Sequence, residues 1–318
     1  MTNKEFKRRL NSAFLEYRNK NTNELVTPSK FFNQIGSTDL EDIAYNKQVE
    51  IKLAILKEVF NEYYKDLDII KSPKETEYRF KAEFVTSYNP IFEPHNRMGQ
   101  RKKGNFSWVV DLDEYILIPN NIFNKVRSVY DYARTLGFQG YDLKKNTGDL
   151  RYLTVKGSND ELMLIITVNS IDSRCEQLME YAIAAGFKSV YLFLNSTLTD
   201  TSEGEVVKYI GEELLTIDLQ TNKSKYSFKI GPNIFFQNNI YCFELIVNYI
   251  RSFLEKIYTA DYFLYDLYCG VGILGILFSD LFKEVKGIEI VKESIELANK
   301  NKELNNIKIY PLNVRILS

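Results

Sequence analysis

The stretch from Tyr262 to Val291 restricts the fold more than any other part of the chain. It runs YFLYDLY, then a glycine turn, then ILGILFSDLF, then EVKGIEIV, with Gly270, Gly272 and Gly275 in G-x-G-x-x-G spacing. A strand must pass through a tight turn into a helix and on to a second strand. The following KESIELANKNKELNN reads as a helix and IKIYP as a third strand. The long amphipathic stretch IYCFELIVNYIRSFLEKI at 240–257 precedes them, so the pattern is βαβαβ, the opening half of a doubly wound α/β sheet. The chain reaches Ser318 after three strands, where such a sheet ordinarily continues, and this early stop requires an explanation.

Glu289 ends the second strand, about 20 residues after the first glycine, where a carboxylate accepts the hydroxyls of a ribose. Bare backbone at Gly270 and Gly272 lets a ligand lie against the turn, so an adenosine-containing cofactor is expected. Nicotinamide dinucleotide and S-adenosylmethionine both meet that description. A dinucleotide needs its pyrophosphate on the helix N-terminus, whereas the methyl donor carries no phosphate and tolerates bulk in the turn. Tyr268 and Cys269 supply that bulk and favour the methyl donor, with core packing of the ring as the competing reading. The single His95 lies far off in a polar loop, which leaves hydride chemistry without a substrate-side histidine.

Upstream, the period changes twice. Ile43, Ile51, Ile55, Val59 and Phe60 recur at helical spacing, so residues 1 to about 64 read as a helical arm, followed by the polar segment KSPKET at 71–76. YRFKAEFVTS at 78–87 and FSWVVDLDEYIL alternate as two strands of a hairpin around a basic turn. A helix from Asn121 to Leu136 follows, then strands RYLTV, LMLIITV and VYLFL, with CEQLMEYAIAAG a helix stopped by Gly186 and strands alternating with helices to Ile230. With 41 basic and 42 acidic residues, bulk charge attracts no particular partner, and nucleic acid would have to meet a local patch. Cysteines only at 175, 242 and 269 speak against a disulfide framework or metal centre. The polar start MTNKEFKRRL and the lack of a long apolar run lead to the expectation of a soluble, cytoplasmic protein without a membrane segment.

Several segments, in order, resemble the RNA uracil-5-methyltransferases, the enzymes that make 5-methyluridine in tRNA and rRNA. YRFKAEF is similar to the family's Y-R-x-K-x-x-F strand, RMGQRKKG at 97–104 to its basic turn, and GDLRYLTVK at 148–156 to its G-x-L-R-x-L segment. IGPNIFFQNN at 230–239 is similar to its phenylalanine-glutamine motif, and DLYCGVGILG with GIEIV to its methyl-donor site. Helical patterning gives an N-terminal arm at 1–72, and the resemblance implies a central α+β RNA-binding domain at 73–228 and at 229–318 a partial Rossmann-like, S-adenosylmethionine-dependent methyltransferase domain. It makes Gln237, Tyr268 and Glu289 donor contacts, with Gly270 and Gly272 shaping the turn. Asn313 stands where the family often has an acid near the adenine, and its amide oxygen can still accept a hydrogen bond. Arg97, Arg101, Lys102 and Lys103, with Arg79, Lys81 and Arg151 on neighbouring strands, are expected to line a phosphate track. Tyr78, Phe80, Tyr152 and Trp108 add stacking surface, and Phe236 faces the target base.

The family's chemistry adds a cysteine thiolate to C6 of uracil, methylates C5 of the resulting enolate, and removes the C5 proton with a base. Its D-P-P-R segment, its S-C-N-P cysteine and a later glutamate carry this, and none of the three occurs in this sequence. Cys269 lies inside the donor turn and Cys175 and Cys242 on expected helices, so no catalytic residue is assigned and the chain alone is expected to be inactive. Three explanations of the early stop follow: a split enzyme whose second polypeptide brings the cysteine and base, a gene fragment, and an RNA-binding protein without catalysis. A small-molecule methyltransferase is a more distant reading. The iron–sulfur cysteines of some members are missing from FNQIGSTDLEDIAYNKQ, so no cluster is expected. Helical patterning at 1–64 also departs from members that carry a small N-terminal β-barrel.

Overall fold

Helix α1 (Asn3–Lys20) starts where Thr2 and Glu5 close a capping box: the Thr2 hydroxyl accepts the Glu5 N–H, and the Glu5 carboxylate accepts the Thr2 N–H at 2.8 Å. The computed structural model describes residues 2–257 and 260–307 and the backbone of 312–315. Helix α2 (Tyr45–Phe60) forms the other half of the arm. Residues 21–44 between them are not helical apart from one 3-10 turn at Thr22–Glu24, which corrects the expectation of helix throughout 1–64. Their apolar residues serve another core. Phe31 and Ile35 are buried with the central domain, Ile35 bridges to Lys102, and Arg18 holds Asp42 through two nitrogens at 2.6 and 2.7 Å.

The central domain is one mixed sheet. Its strands are β1 (Lys81–Tyr88), β2 (Asn96–Lys102), β3 (Asn105–Asp111), β4 (Leu150–Ser158), β5 (Glu161–Val168), β6 (Ser189–Leu194) and β7 (Glu205–Gly211), in spatial order β3-β2-β1-β4-β5-β6-β7. All neighbours are antiparallel except β5 and β6, which α4 (Ser173–Ala184) joins as a crossover. The expected hairpin of 78–87 with FSWVVDLDEYIL does not form. The basic segment between them is itself a strand, β2, which pairs with both β1 and β3. Helices α3 (Asn120–Thr135) and α4 cover one face, burying Phe84, Leu153, Leu164 and Val190 against Phe123 and Leu178.

The reverse face of β5 and β6 packs on an antiparallel hairpin, β8 (Leu215–Gln220) and β9 (Lys225–Ile230). Strands β7 to β9 thus follow one another without helices between them, unlike the alternation expected up to Ile230. Helix α5 (Ile240–Leu254) leads into a second sheet, all parallel, of β10 (Phe263–Leu267), β11 (Glu284–Ile288) and β12 (Leu312–Arg315), with α6 (Ile273–Phe278) and α7 (Lys292–Leu304) as crossovers. The expected strand IKIYP falls largely on 308–311, outside the described residues; the third strand described is at 312–315. Met163, Ile165, Tyr191 and Phe193 of the large sheet share one apolar cluster with Val247, Val271 and Ile276, so the two sheets are joined by continuous packing.

Lys156 fastens that junction. Its ammonium, buried on β4, donates to the carbonyls of Pro232 and Ile234 in the segment connecting β9 to α5. Burial, with Lys81 nearby, pushes its pKa down from 10.5 to about 7. The unfolded lysine holds its proton up to about pH 10.4, so the unfolded chain binds more protons than the folded one between about 7 and that value. Folding stability should therefore rise with pH across this window, by roughly 2 kcal/mol between pH 7.5 and 9.5. Urea midpoints followed through that range should climb in the native chain and less steeply in Lys156→Met; equal slopes would show that Lys156 titrates normally.

Candidate donor-binding turn and RNA-facing surface

The glycine turn is built by left-handed backbone. Tyr268 (φ 59°), Gly270 (φ 52°) and Gly272 (φ 79°) alternate with ordinary residues and reverse the chain between β10 and α6, with Gly272 as the helix N-cap. Such a conformation is uncommon for a residue with a Cβ, and Tyr268 holds it with its ring 88% exposed. The core-packing reading of this ring is thereby set aside. A methyl group added at Gly270 would meet nothing within 4 Å, so the backbone there borders open space.

Glu289 closes the turn from the tip of β11. One carboxylate oxygen accepts the Gly270 N–H at 3.0 Å, and the other accepts the N–H groups of Ile290 and Val291 at 2.7 and 2.9 Å. The Val291 N–H foremost, with those of Gly270 and Ile290, holds this carboxyl below the usual glutamate value. It is an ionised acceptor at neutral pH. Asp266, which the sequence reading passed over, ties β10 to the first turn of α6 by accepting the Gly275 N–H at 3.0 Å. The signal was present: an acid inside an apolar strand, a few residues before an uncapped helix start. Cys269 is buried, and burial first, then Asp266 and Glu289, pushes its thiol up to about 12, the opposite of what a nucleophile requires. Burial also raises the Cys175 thiol.

Gln237 is half-buried in the segment ahead of α5, which shares its apolar cluster with Val271 of the turn. Phe236 does not face a ligand: it is 4% exposed and packs 5.0 Å from Phe80, while the neighbouring Phe235 is 76% exposed. Only the backbone of Asn313 is described, in register with Lys286 of β11. The outer edge of β10 has no strand partner among the described residues, and Phe263, Tyr265 and Leu267 are exposed on one face of the strand, with the Lys286 ammonium over the first two rings.

The basic residues divide into internal and external ones. Arg151, 1% exposed, donates to the carbonyls of Asn195, Thr197 and Thr199. Arg97, 4% exposed, donates to the carbonyl of Phe92 at 3.0 Å. Both are withdrawn from the expected phosphate track, because they are buried and their terminal nitrogens donate to backbone carbonyls inside the protein. Phe80 and Tyr152 are likewise buried, leaving Phe92 and Phe106 as the exposed rings. One terminal nitrogen of Arg101 donates to both oxygens of Asp200 at 2.7 and 2.8 Å, and the Tyr152 hydroxyl donates to the same carboxylate at 2.6 Å. Arg79 donates to the Tyr115 hydroxyl, and Lys81 pairs with Glu83. Lys102 and Lys103 stand exposed at the tip of the β2–β3 hairpin, the latter near Asp39. Among the described residues no group of three or more His, Cys, Asp or Glu is placed to hold a metal ion, and no helix is long and apolar enough to cross a membrane.

Comparison with known proteins adds to this geometry. Residues 44–317 match the family described as tRNA (Uracil-5-)-methyltransferase. An uncharacterized RNA methyltransferase of Caldanaerobacter subterraneus is 30% identical over 302 residues, which cover 90% of this chain and 64% of that protein. The tRNA (uracil(54)-C(5))-methyltransferase of Pyrococcus furiosus is 26% identical, over 88% of this chain and 63% of its own. The crystal structure of the corresponding Pyrococcus abyssi enzyme, in complex with S-adenosyl-L-homocysteine, superposes with a TM-score of 0.70 at 23% identity, over 92% of this chain and 67% of that one. The fold is therefore that of the Pyrococcus protein, and the chain spans somewhat less than two thirds of the curated relatives' length.

Proposed function

Because the chain belongs to the tRNA (uracil-5-)-methyltransferase family, we propose that it binds S-adenosylmethionine at the glycine turn and a uridine-bearing RNA, tRNA foremost, across the central sheet. The observation that carries the reading is Glu289: an ionised carboxylate at a strand tip, beside open space at Gly270. Its unused lone pairs can accept the ribose hydroxyls of the donor, while Tyr268 offers an exposed ring and Gln237 an amide. Asn313 is the proposed adenine-side contact. The bound donor supplies an electrophilic methyl group. With the buried Cys175 and Cys269 thiols both pushed up by burial, we assign the C6-attacking cysteine and the C5 base to further strands that extend the sheet from the exposed edge of β10. A second polypeptide is one way to bring them, and the cytoplasm is the proposed setting.

The test is methyl transfer from labelled donor to unmodified tRNA. The chain by itself should bind donor calorimetrically but transfer nothing, and transfer should appear when the remaining strands of a relative are supplied. Turnover by the chain alone would overturn the division of labour. Donor and RNA binding that never yields transfer, even with the strands supplied, would favour a non-catalytic RNA-binding protein. For the RNA side, reversing Lys102 and Lys103 to glutamate should weaken binding and lower the salt slope by about 1 per lysine. An unchanged salt titration would remove the hairpin tip from the interface.

A further inference from the structure

Beside the basic hairpin lies a cavity of about 310 Å³, bounded by the end of β1, the loop at 89–95, strands β2 and β3 and the turn at 141–144. We propose that it receives one unpaired nucleobase of the RNA, apart from the target uridine. This rests on the RNA-binding reading above and specifies where a second base would be held.

The lining has the chemistry of a stacking site. Phe92 and Trp108 contribute rings with accessible surface, Tyr141, itself buried, forms part of the floor, and a guanidinium lies over each inner ring: Arg97 4.3 Å from the Trp108 centroid, and Arg151 4.2 Å from that of Tyr141. Both arginines are tied to backbone carbonyls, so the rings are held as fixed plates. This gives the two arginines a positioning role in place of direct phosphate contact. Phe92 packs edge-on to Trp108 at 5.3 Å and is half exposed, as a ring at the rim should be.

Size and charge favour a base. The volume suits a single nucleoside rather than a helix, and single-stranded bases stack on aromatic side chains irrespective of sequence. Arg101 and Lys144 also line the cavity. Arg101 and Asp200 offset each other, and the lining carboxylate of Asp142, which accepts the N–H groups of Lys144 and Lys145, stands against the cations of Arg97 and Lys144, so the lining is cationic on balance. Strands β2 and β3, which wall the cavity, run on to the hairpin tip at Lys102 and Lys103, so a strand of RNA crossing that tip would pass the cavity.

Trp108 is the only tryptophan in the chain, so its emission reports on this cavity alone. Titration with a hairpin RNA bearing an unpaired loop should quench Trp108 and shield it from acrylamide, whereas a fully paired duplex of the same composition should do neither. Phe92→Ala, at an exposed position, should weaken loop-RNA binding tenfold or more while leaving duplex affinity and donor binding unchanged. If loop RNA binds with Trp108 emission unaltered and Phe92→Ala has no effect, the base site is wrong although RNA binding stands. If neither RNA binds, the underlying reading fails.

Discussion

Replacing Arg151 by methionine should destabilise the central domain by about 1–3 kcal/mol, the cost of leaving a buried acceptor without its donor. The guanidinium has five donors and no acceptor, and here it serves alternate carbonyls of the 195–199 loop, that of the buried Asn195 and those of Thr197 and Thr199 nearer the surface. Methionine fills much of the volume but leaves those carbonyls without donors, and each buried unsatisfied acceptor costs about 1–3 kcal/mol. It also removes the cation behind Tyr141. Lysine, a single point charge, should recover part of the loss because its three donors can reach some of the carbonyls but not in a fork. Urea unfolding read by Trp108 emission, which reports the central domain, would measure both variants. A loss for Arg151→Met below about 1 kcal/mol would mean that the loop finds water or another donor, and that the arginine is free for RNA after all.

Arg151 also illustrates which parts were legible beforehand. The glycine turn, the crossover helices and the parallel order of the second sheet follow from local signals: periods of two and 3.6, and glycines where positive φ is required. Whether an arginine inside R-Y-L-T-V-K points to solvent or into a core depends on strand order, which no local signal contains. β4 lies between β1 and β5, and all but one of its residues are buried. The same nonlocal information moved Phe236 inward against Phe80. It turned the basic turn into β2, because pairing on both sides made an extended Arg97–Lys102 segment cheaper than a loop with unpaired amides. The arm departs for a related reason. Residues 21–44 carry enough apolar residues to look helical, yet Phe31 and Ile35 are claimed by the neighbouring domain's core, which a helix continuing from α1 would not reach.

At the donor turn, Glu289→Ala should raise the dissociation constant for S-adenosylmethionine by 10- to 100-fold. Hydrogen bonds to a charged group contribute about 1.5–3 kcal/mol, and each 1.4 kcal/mol is a factor of ten. Two losses combine in that variant: the acceptor for the ribose hydroxyls, and the carboxylate that fastens Gly270, Ile290 and Val291. Gly270→Ala separates them. Its Cβ meets nothing within 4 Å in the protein, so the fold is burdened only by the φ of 52°, while the donor loses the space it would occupy. Calorimetry should therefore show a comparable loss of donor affinity in Gly270→Ala, with a much smaller change in unfolding midpoint than in Glu289→Ala. Glu289→Gln should fall between wild type and alanine, because its amide oxygen still accepts but carries no charge. Since the Val291, Gly270 and Ile290 amides hold the carboxyl in its ionised form, wild-type affinity should also stay flat from pH 8 down to the ordinary glutamate range and weaken only below it. Full affinity in Gly270→Ala would place the donor away from this turn, and a loss of affinity already near pH 6 would point to a titrating group other than Glu289.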